Sequence, residues 1–117
     1  MKGFEGKVLH GVFELDGQEF ICLDGGPIFT FNESVSFTVD CDGQEEVDYY
    51  WEKLSAVPES EQCGWCKDKF GMSWQIIPKQ MGEYLMGSDS ARSQSAMAAM
   101  LQMKKIDIAG LKAAYDK

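Results

Sequence analysis

Histidine is nearly missing from this chain: His10 is the only one among 117 residues. A catalytic triad needs a base beside its nucleophile, and His10 alone would have to serve. Basic residues are also scarce, 11 against 19 acidic, for a formal net charge of −8. No basic footprint for duplex nucleic acid is visible, and anionic membrane surfaces are disfavoured, so neither is expected as a partner. No apolar run approaches the roughly 18–20 residues that span a bilayer. The opening stretch MKGFEGKVLHG has no apolar leader segment, so a cytoplasmic protein is expected. No G-x-G-x-x-G follows a strand pattern, which argues against a dinucleotide-type cradle.

What is present suits one soluble domain, residues 1–117. Hydrophobic residues make up 44% of the chain, and 7 Phe, 7 Met, 4 Tyr and 3 Trp allow a sizeable core. Four cysteines are expected as thiols in a reducing compartment. Cys22, in FICL, and Cys41, ending VSFTVDC, are expected to pack as small core residues.

The pattern begins with a β-hairpin. VLHGVFEL and EFICL flank the turn signal Asp16-Gly17. In 35–41, Val35, Phe37, Val39 and Cys41 alternate with Ser36, Thr38 and Asp40, a half-buried strand. In 44–54, Val47, Tyr50, Trp51 and Leu54 form one helical stripe. Asp42 and Glu45 are expected as a capping box, and the pair Glu45-Glu46 as solvated charge. Two short strands follow, 62–67 and 72–77, with Asp68-Lys69-Phe70-Gly71 as the turn. The tail is helical: one or two turns over 79–86, a helix over 89–103 and a last one capped by Asp107. Met97, Met100 and Met103 share helical spacing and are expected to pack in a core or dimer contact, or to present a flexible ligand-facing surface. The order β-β, β-α-β-β, then helices reads as an α+β fold with an antiparallel sheet.

GGPIFTFNESVSFTVDCDGQEEVDYYWEKLS, QCGWCKDKFGMSWQIIP and MAAMLQMKKIDIAGLKAAY resemble the 3-demethylubiquinone 3-methyltransferase-like family. That family lies in the glyoxalase/bleomycin-resistance, or vicinal oxygen chelate, superfamily. The resemblance spans about residues 8–116. It implies paired βαβββ modules around a cleft. Residues 35–78 match one module, residues 8–31 a first module reduced to its hairpin, and residues 79–117 the C-terminal helices. The implied first module is N-terminally shortened. A lone hairpin is marginal in water and an open apolar edge needs a partner, so a homodimer with exchanged strands is expected.

The resemblance also locates candidate site positions. Metal-dependent members of the superfamily draw ligands from the first and last strands of each module, and the matching positions are Ser36 and Gln75. A serine hydroxyl and a neutral amide are poor ligands for a divalent transition metal, so no metal and no cofactor are expected. Trp65 and Trp74, on adjacent expected strands, offer apolar walls beside Ser36 and Gln75, the mix of a small-molecule pocket; both tryptophans also read as ordinary core residues. Cys63 and Cys66 form a C-x-x-C, either a thiol redox pair or structural thiols. The motif is expected on a strand, without the helix N-terminus that activates thioredoxin-type cysteines. Four functions remain open. They are binding of a small, partly apolar molecule, methyl transfer or another transferase or lyase reaction implied by the family, a homodimer with no active cleft, and thiol redox chemistry.

Overall fold

The computed structural model describes residues 9–117. Residues 1–8, most of the opening stretch with no apolar leader and Val8 at the start of the first expected strand, lie outside them. The chain divides into two compact units, Met1–Thr30 and Phe31–Lys117.

In the first unit, β1 (His10–Leu15) and β2 (Gln18–Leu23) form the expected hairpin. Asp16 and Gly17 sit at φ 50° and 81°, the left-handed pair that a tight two-residue hairpin requires. The register sets Val12 opposite Ile21 and Phe13 opposite Phe20, whose rings stack at 5.4 Å. Cys22 is exposed, not in a core as expected. A two-stranded hairpin has no second layer of its own to bury it.

The second unit holds β3 (Ser36–Cys41), α1 (Gln44–Leu54), β4 (Trp65–Lys67) and β5 (Ser73–Pro78), then α2 (Met81–Leu85), α3 (Ser90–Met100) and α4 (Ile108–Asp116). Its sheet runs β3-β5-β4. The fold is mixed α+β, with two small sheets and four helices among the described residues. The sheet is not wholly antiparallel: β4 pairs antiparallel with β5, but β3 pairs parallel with it. Both α1 and β4 lie between β3 and β5, a crossover long enough for β5 to return beside β3 in the same direction.

α1 covers one face of this sheet. Cys41, Val47, Cys66 and Ile76 are buried there, with Val39, Tyr50, Trp51, Leu54 and Trp74 packed around them. The four-residue stripe read in the sequence is thus the packing face of α1. Its start differs from expectation. Gly43 is the N-cap, and Glu46 rather than Glu45 reaches back, its Oε1 accepting from the Asp42 amide at 3.1 Å.

The C-terminal helices pack on one another through small residues. Ser93 and Ala96 of α3 and Leu111 of α4 are buried, as is Ile106 between them. α3 ends at Met100, so Met103 falls outside it, and Met97 is exposed. The methionine stripe is therefore not the buried seam, because Ser93 and Ala96 fill that role. Asp89 and Asp107 cap α3 and α4, accepting from the amides of Arg92 and Ala109. Gln44 ties the start of α1 to this layer: its amide donates to the Ile106 carbonyl at 3.0 Å, and its carbonyl accepts from the Ile108 amide at 2.8 Å. Among the described residues no helix is long and apolar enough to cross a membrane.

Candidate functional site

Strand alternation gives the β3-β5-β4 sheet two unlike faces. Phe37, Val39 and Cys41 of β3, Trp74 and Ile76 of β5 and Cys66 of β4 turn toward α1. The opposite face carries Ser36, Thr38 and Asp40, then Ser73, Gln75 and Ile77, then Trp65 and Lys67. The register places Gln75 between Thr38 on one side and Trp65 on the other. The Gln75 amide donates to the Ser36 hydroxyl at 2.9 Å.

Of the four expected ligand-binding residues, Ser36, Gln75 and Trp65 therefore share one face. Trp74 is not brought together with them. Its ring packs against Phe37 at 5.3 Å, within the cluster under α1. Its indole N–H donates to Asp68 Oδ2 at 2.9 Å. The other Asp68 oxygen accepts from the amides of Phe70 and Met72, so one carboxylate organises the β4–β5 turn and satisfies the indole.

The C-x-x-C motif falls across a turn, not along a strand. Cys63 and Gly64 take φ 52° and 87° between Gln62 and Trp65, which pair as an antiparallel bridge. The Cys63 and Gly64 amides donate to the carbonyls of Met103 and Lys104, both at 2.8 Å. A Cβ on Gly64 would lie 3.0 Å from Ile77 Cδ1 and 3.1 Å from Ile106 Cγ1, so the turn admits glycine alone without strain. Cys63 and Cys66 are both free thiols. Cys66 is buried under α1, and burial, with Glu61 and Asp68 adding negative charge nearby, pushes its thiol up to about 11. That environment opposes the thiolate on which exchange chemistry depends.

Beside Trp65 the surface opens into a recess of about 370 Å³ lined by Glu33, Ser60, Gln62, Cys63 and Trp65. Glu33, from the segment before β3, reaches Lys67 of β4 and forms an ion pair with it. The Lys67 hydrogen bond is the chief reason the Glu33 carboxyl is held below the usual carboxylate range. The sequence pointed to neither residue. Lys67 was legible only as the residue two beyond Trp65, hence on the same face. Glu33 lies in an irregular segment whose position no periodicity reports.

Among the described residues no group of three or more His, Cys, Asp or Glu side chains is arranged to hold a metal ion. His10 is exposed on the hairpin. Ser36 and Gln75, the two positions that the family resemblance offered for metal ligands, spend a donor and an acceptor on each other. Neither brings the negative charge or imidazole nitrogen that a divalent transition metal prefers, so these residues do not fit such an ion.

The arrangement is that of a small α+β protein with one filled sheet face and one polar face beside an aromatic recess. The chain belongs to the 3-demethylubiquinone-9 3-methyltransferase family, whose model matches residues 1–77. This agrees with the family resemblance read in the sequence, and the superfamily placement is consistent with the family's name. The matched range covers both sheets almost entirely and α1, and leaves α2, α3 and α4 outside it. None of the curated proteins compared with the chain matches it.

Proposed function

We propose that this protein binds a small, partly apolar molecule on the polar face of the β3-β5-β4 sheet, without a tightly held metal. The observation that carries this reading is the Gln75–Ser36 hydrogen bond set directly beside Trp65. It offers oriented polar groups next to a flat apolar wall, on the face turned away from α1. Trp74 then supports the site from behind, as part of the layer under α1. On this reading residues 35–78 are one βαβββ-type module of the glyoxalase superfamily, and the β-α-β-β order of β3, α1, β4 and β5 supports it. A second copy of the chain supplies the partner for the exposed hairpin, in a cytoplasmic homodimer. A thermal-shift screen against quinones, aromatic metabolites and antibiotics tests the binding. Hits whose shift disappears in Trp65→Ala are expected, and a screen without hits overturns the reading.

A second reading, methyl transfer, takes its support from the name of the matching family. The β3–α1 connection carries a single glycine, Gly43, and Glu45 and Glu46 occupy the first turn of α1. These residues do not fit the glycine-rich cradle that commonly holds a nucleoside cofactor at a helix start. Calorimetric titration with S-adenosylmethionine separates the two readings. Saturable micromolar binding favours transfer, and no heat favours simple binding.

A further inference from the structure

The ion pair at the edge of the recess carries information about what the site accepts. Lys67 stands two residues beyond Trp65 on the same strand, so the two side chains leave the sheet on the same face. The Lys67 side chain is only 22% exposed, whereas that of Glu33 is 63% exposed. The cation thus belongs to the sheet face and the carboxylate comes to it from outside. The segment that brings it, residues 31–35, is exposed throughout. Glu33 also lines the recess that Trp65 lines. The chain therefore already shows a carboxylate that both pairs with Lys67 and lines the recess beside Trp65.

We propose that Glu33 is a built-in occupant of an acid-binding subsite, and that the ligand is a flat aromatic carboxylate that displaces it. The ligand's ring lies against Trp65, its carboxylate takes the place of the Glu33 carboxylate on Lys67, and Glu33 swings into solvent. Three features support the exchange. An ion pair with so exposed a carboxylate is weak and screened, so breaking it costs little. The partly desolvated ammonium gains an equivalent partner. The ligand adds the apolar contact with Trp65 that Glu33 lacks. Neutral ligands of the same shape leave the Lys67–Glu33 pair intact and find the subsite filled. Glu33 is then a specificity-determining residue. The inference rests on the reading of this face as a small-molecule site and names the charge class it selects.

The test uses 2-naphthoate and its neutral isostere 2-naphthamide as calorimetric probes of the full chain. Naphthoate is expected to bind at least tenfold more tightly than naphthamide. Glu33→Gln, a change at an exposed position, should tighten naphthoate several-fold and leave naphthamide unaltered. Lys67→Met should bring naphthoate down to the affinity of naphthamide. Should Lys67→Met lose its fold by circular dichroism, Glu33→Gln still decides. Equal affinity for the two probes, or a Glu33→Gln change that leaves naphthoate binding constant or weaker, overturns the acid subsite. Equal binding of both probes that is lost in Trp65→Ala overturns it while upholding the small-molecule site. Absence of any binding, in a protein whose neutral screening hits do bind, also overturns the acid subsite alone.

Discussion

The Gln75 side-chain amide donates to the Ser36 hydroxyl at 2.9 Å, joining β3 and β5 on the face turned away from α1. Both residues are half-buried, so neither pays the full desolvation cost of an interior polar group. The bond orients the amide of a residue whose neighbour across the β4–β5 pairing is Trp65.

That geometry separates stability from binding. Gln75→Ala removes one hydrogen bond at a half-exposed site, a cost of about 1 kcal/mol or less. The melting temperature should fall by only a few degrees, whereas calorimetric affinity for 2-naphthoate should drop several-fold. A variant that loses stability but binds as before would mean that the bond is structural only.

Gly64 makes the opposite prediction. Its φ of 87° and the 3.0 Å and 3.1 Å approaches to Ile77 and Ile106 leave no room for a methyl group. Gly64→Ala combines left-handed strain with overpacking, together about 2–4 kcal/mol. Urea unfolding should show a lower midpoint with an unchanged slope. A variant as stable as the parent would show that the turn can relax at no cost.

Particular residues show where the sequence was legible. The hairpin was readable because Asp16-Gly17 sits between alternating runs, and α1 because Val47, Tyr50, Trp51 and Leu54 share one stripe. The parallel pairing of β3 with β5 was not, since local pattern does not report which distant strand becomes the neighbour. Only the family resemblance linked Ser36 with Gln75 in the sequence, and the pairing of β3 with β5 is what lets them share a hydrogen bond. Trp74 and Gln75 are adjacent in sequence and so must leave a regular strand on opposite faces. That rule parts Trp74 from Trp65 once the Trp65–Gln75 pairing is known, and the pairing is a tertiary fact. Cys63-Gly64 carried a readable hint, a glycine in a two-residue link, but the C-x-x-C spacing drew attention to the sulfurs instead. Lys67 and Glu33 lie 34 positions apart, and nothing in the chain's periodicity couples them.

The four thiols should divide by burial. Cys41 and Cys66 are buried, and burial, reinforced by neighbouring carboxylates, pushes each up to about 11 from an ordinary value of 9.0. Cys22 and Cys63 are exposed and half-exposed. At pH 8 an aromatic disulfide reagent should modify Cys22 and Cys63 at once, and Cys41 and Cys66 only on unfolding. The same shifts fix a pH dependence. Between pH 9 and about 11 the unfolded chain loses these protons while the folded chain keeps them. The folded state then binds more protons, so stability is fully present below pH 9.0 and falls as pH rises toward 11. Urea midpoints measured across that window should decline less steeply in Cys66→Ala. Rapid labelling of Cys66 in the native protein would contradict the burial and reopen the thiol redox reading.

Arg92 secures the end of α4. Its Nε donates to the Tyr115 carbonyl at 2.7 Å, its Nη2 to Asp116 Oδ1 at 2.8 Å, and its guanidinium lies 4.2 Å from the Tyr115 ring centre. Arg92→Ala should cost about 1–3 kcal/mol and raise amide exchange in α4 ahead of the sheet. Arg92→Lys should recover little, because an ammonium cannot supply both the fork and the stacked plane. Full recovery by lysine would reduce the contact to simple charge pairing with Asp116.

The hairpin supplies the last prediction. Val12 and Ile21 face each other across β1 and β2 and are 56% and 66% exposed. Leu15 and Leu23 are exposed on the same two strands. Two strands alone bury too little apolar surface to be stable in water, and their outer edges present unpaired backbone groups. Pairing of hairpins from two copies would satisfy both needs by a symmetric contact, since each copy offers the same edge. Light scattering at micromolar concentration should therefore give twice the 13.1 kDa of one chain. Ile21→Lys puts a charge in place of an exposed apolar side chain in the middle of β2 and should shift the species toward the single-chain mass, leaving the α1-covered sheet folded by circular dichroism. A parent chain that scatters as a monomer removes the strand-exchanged dimer, and the hairpin must then find its cover elsewhere.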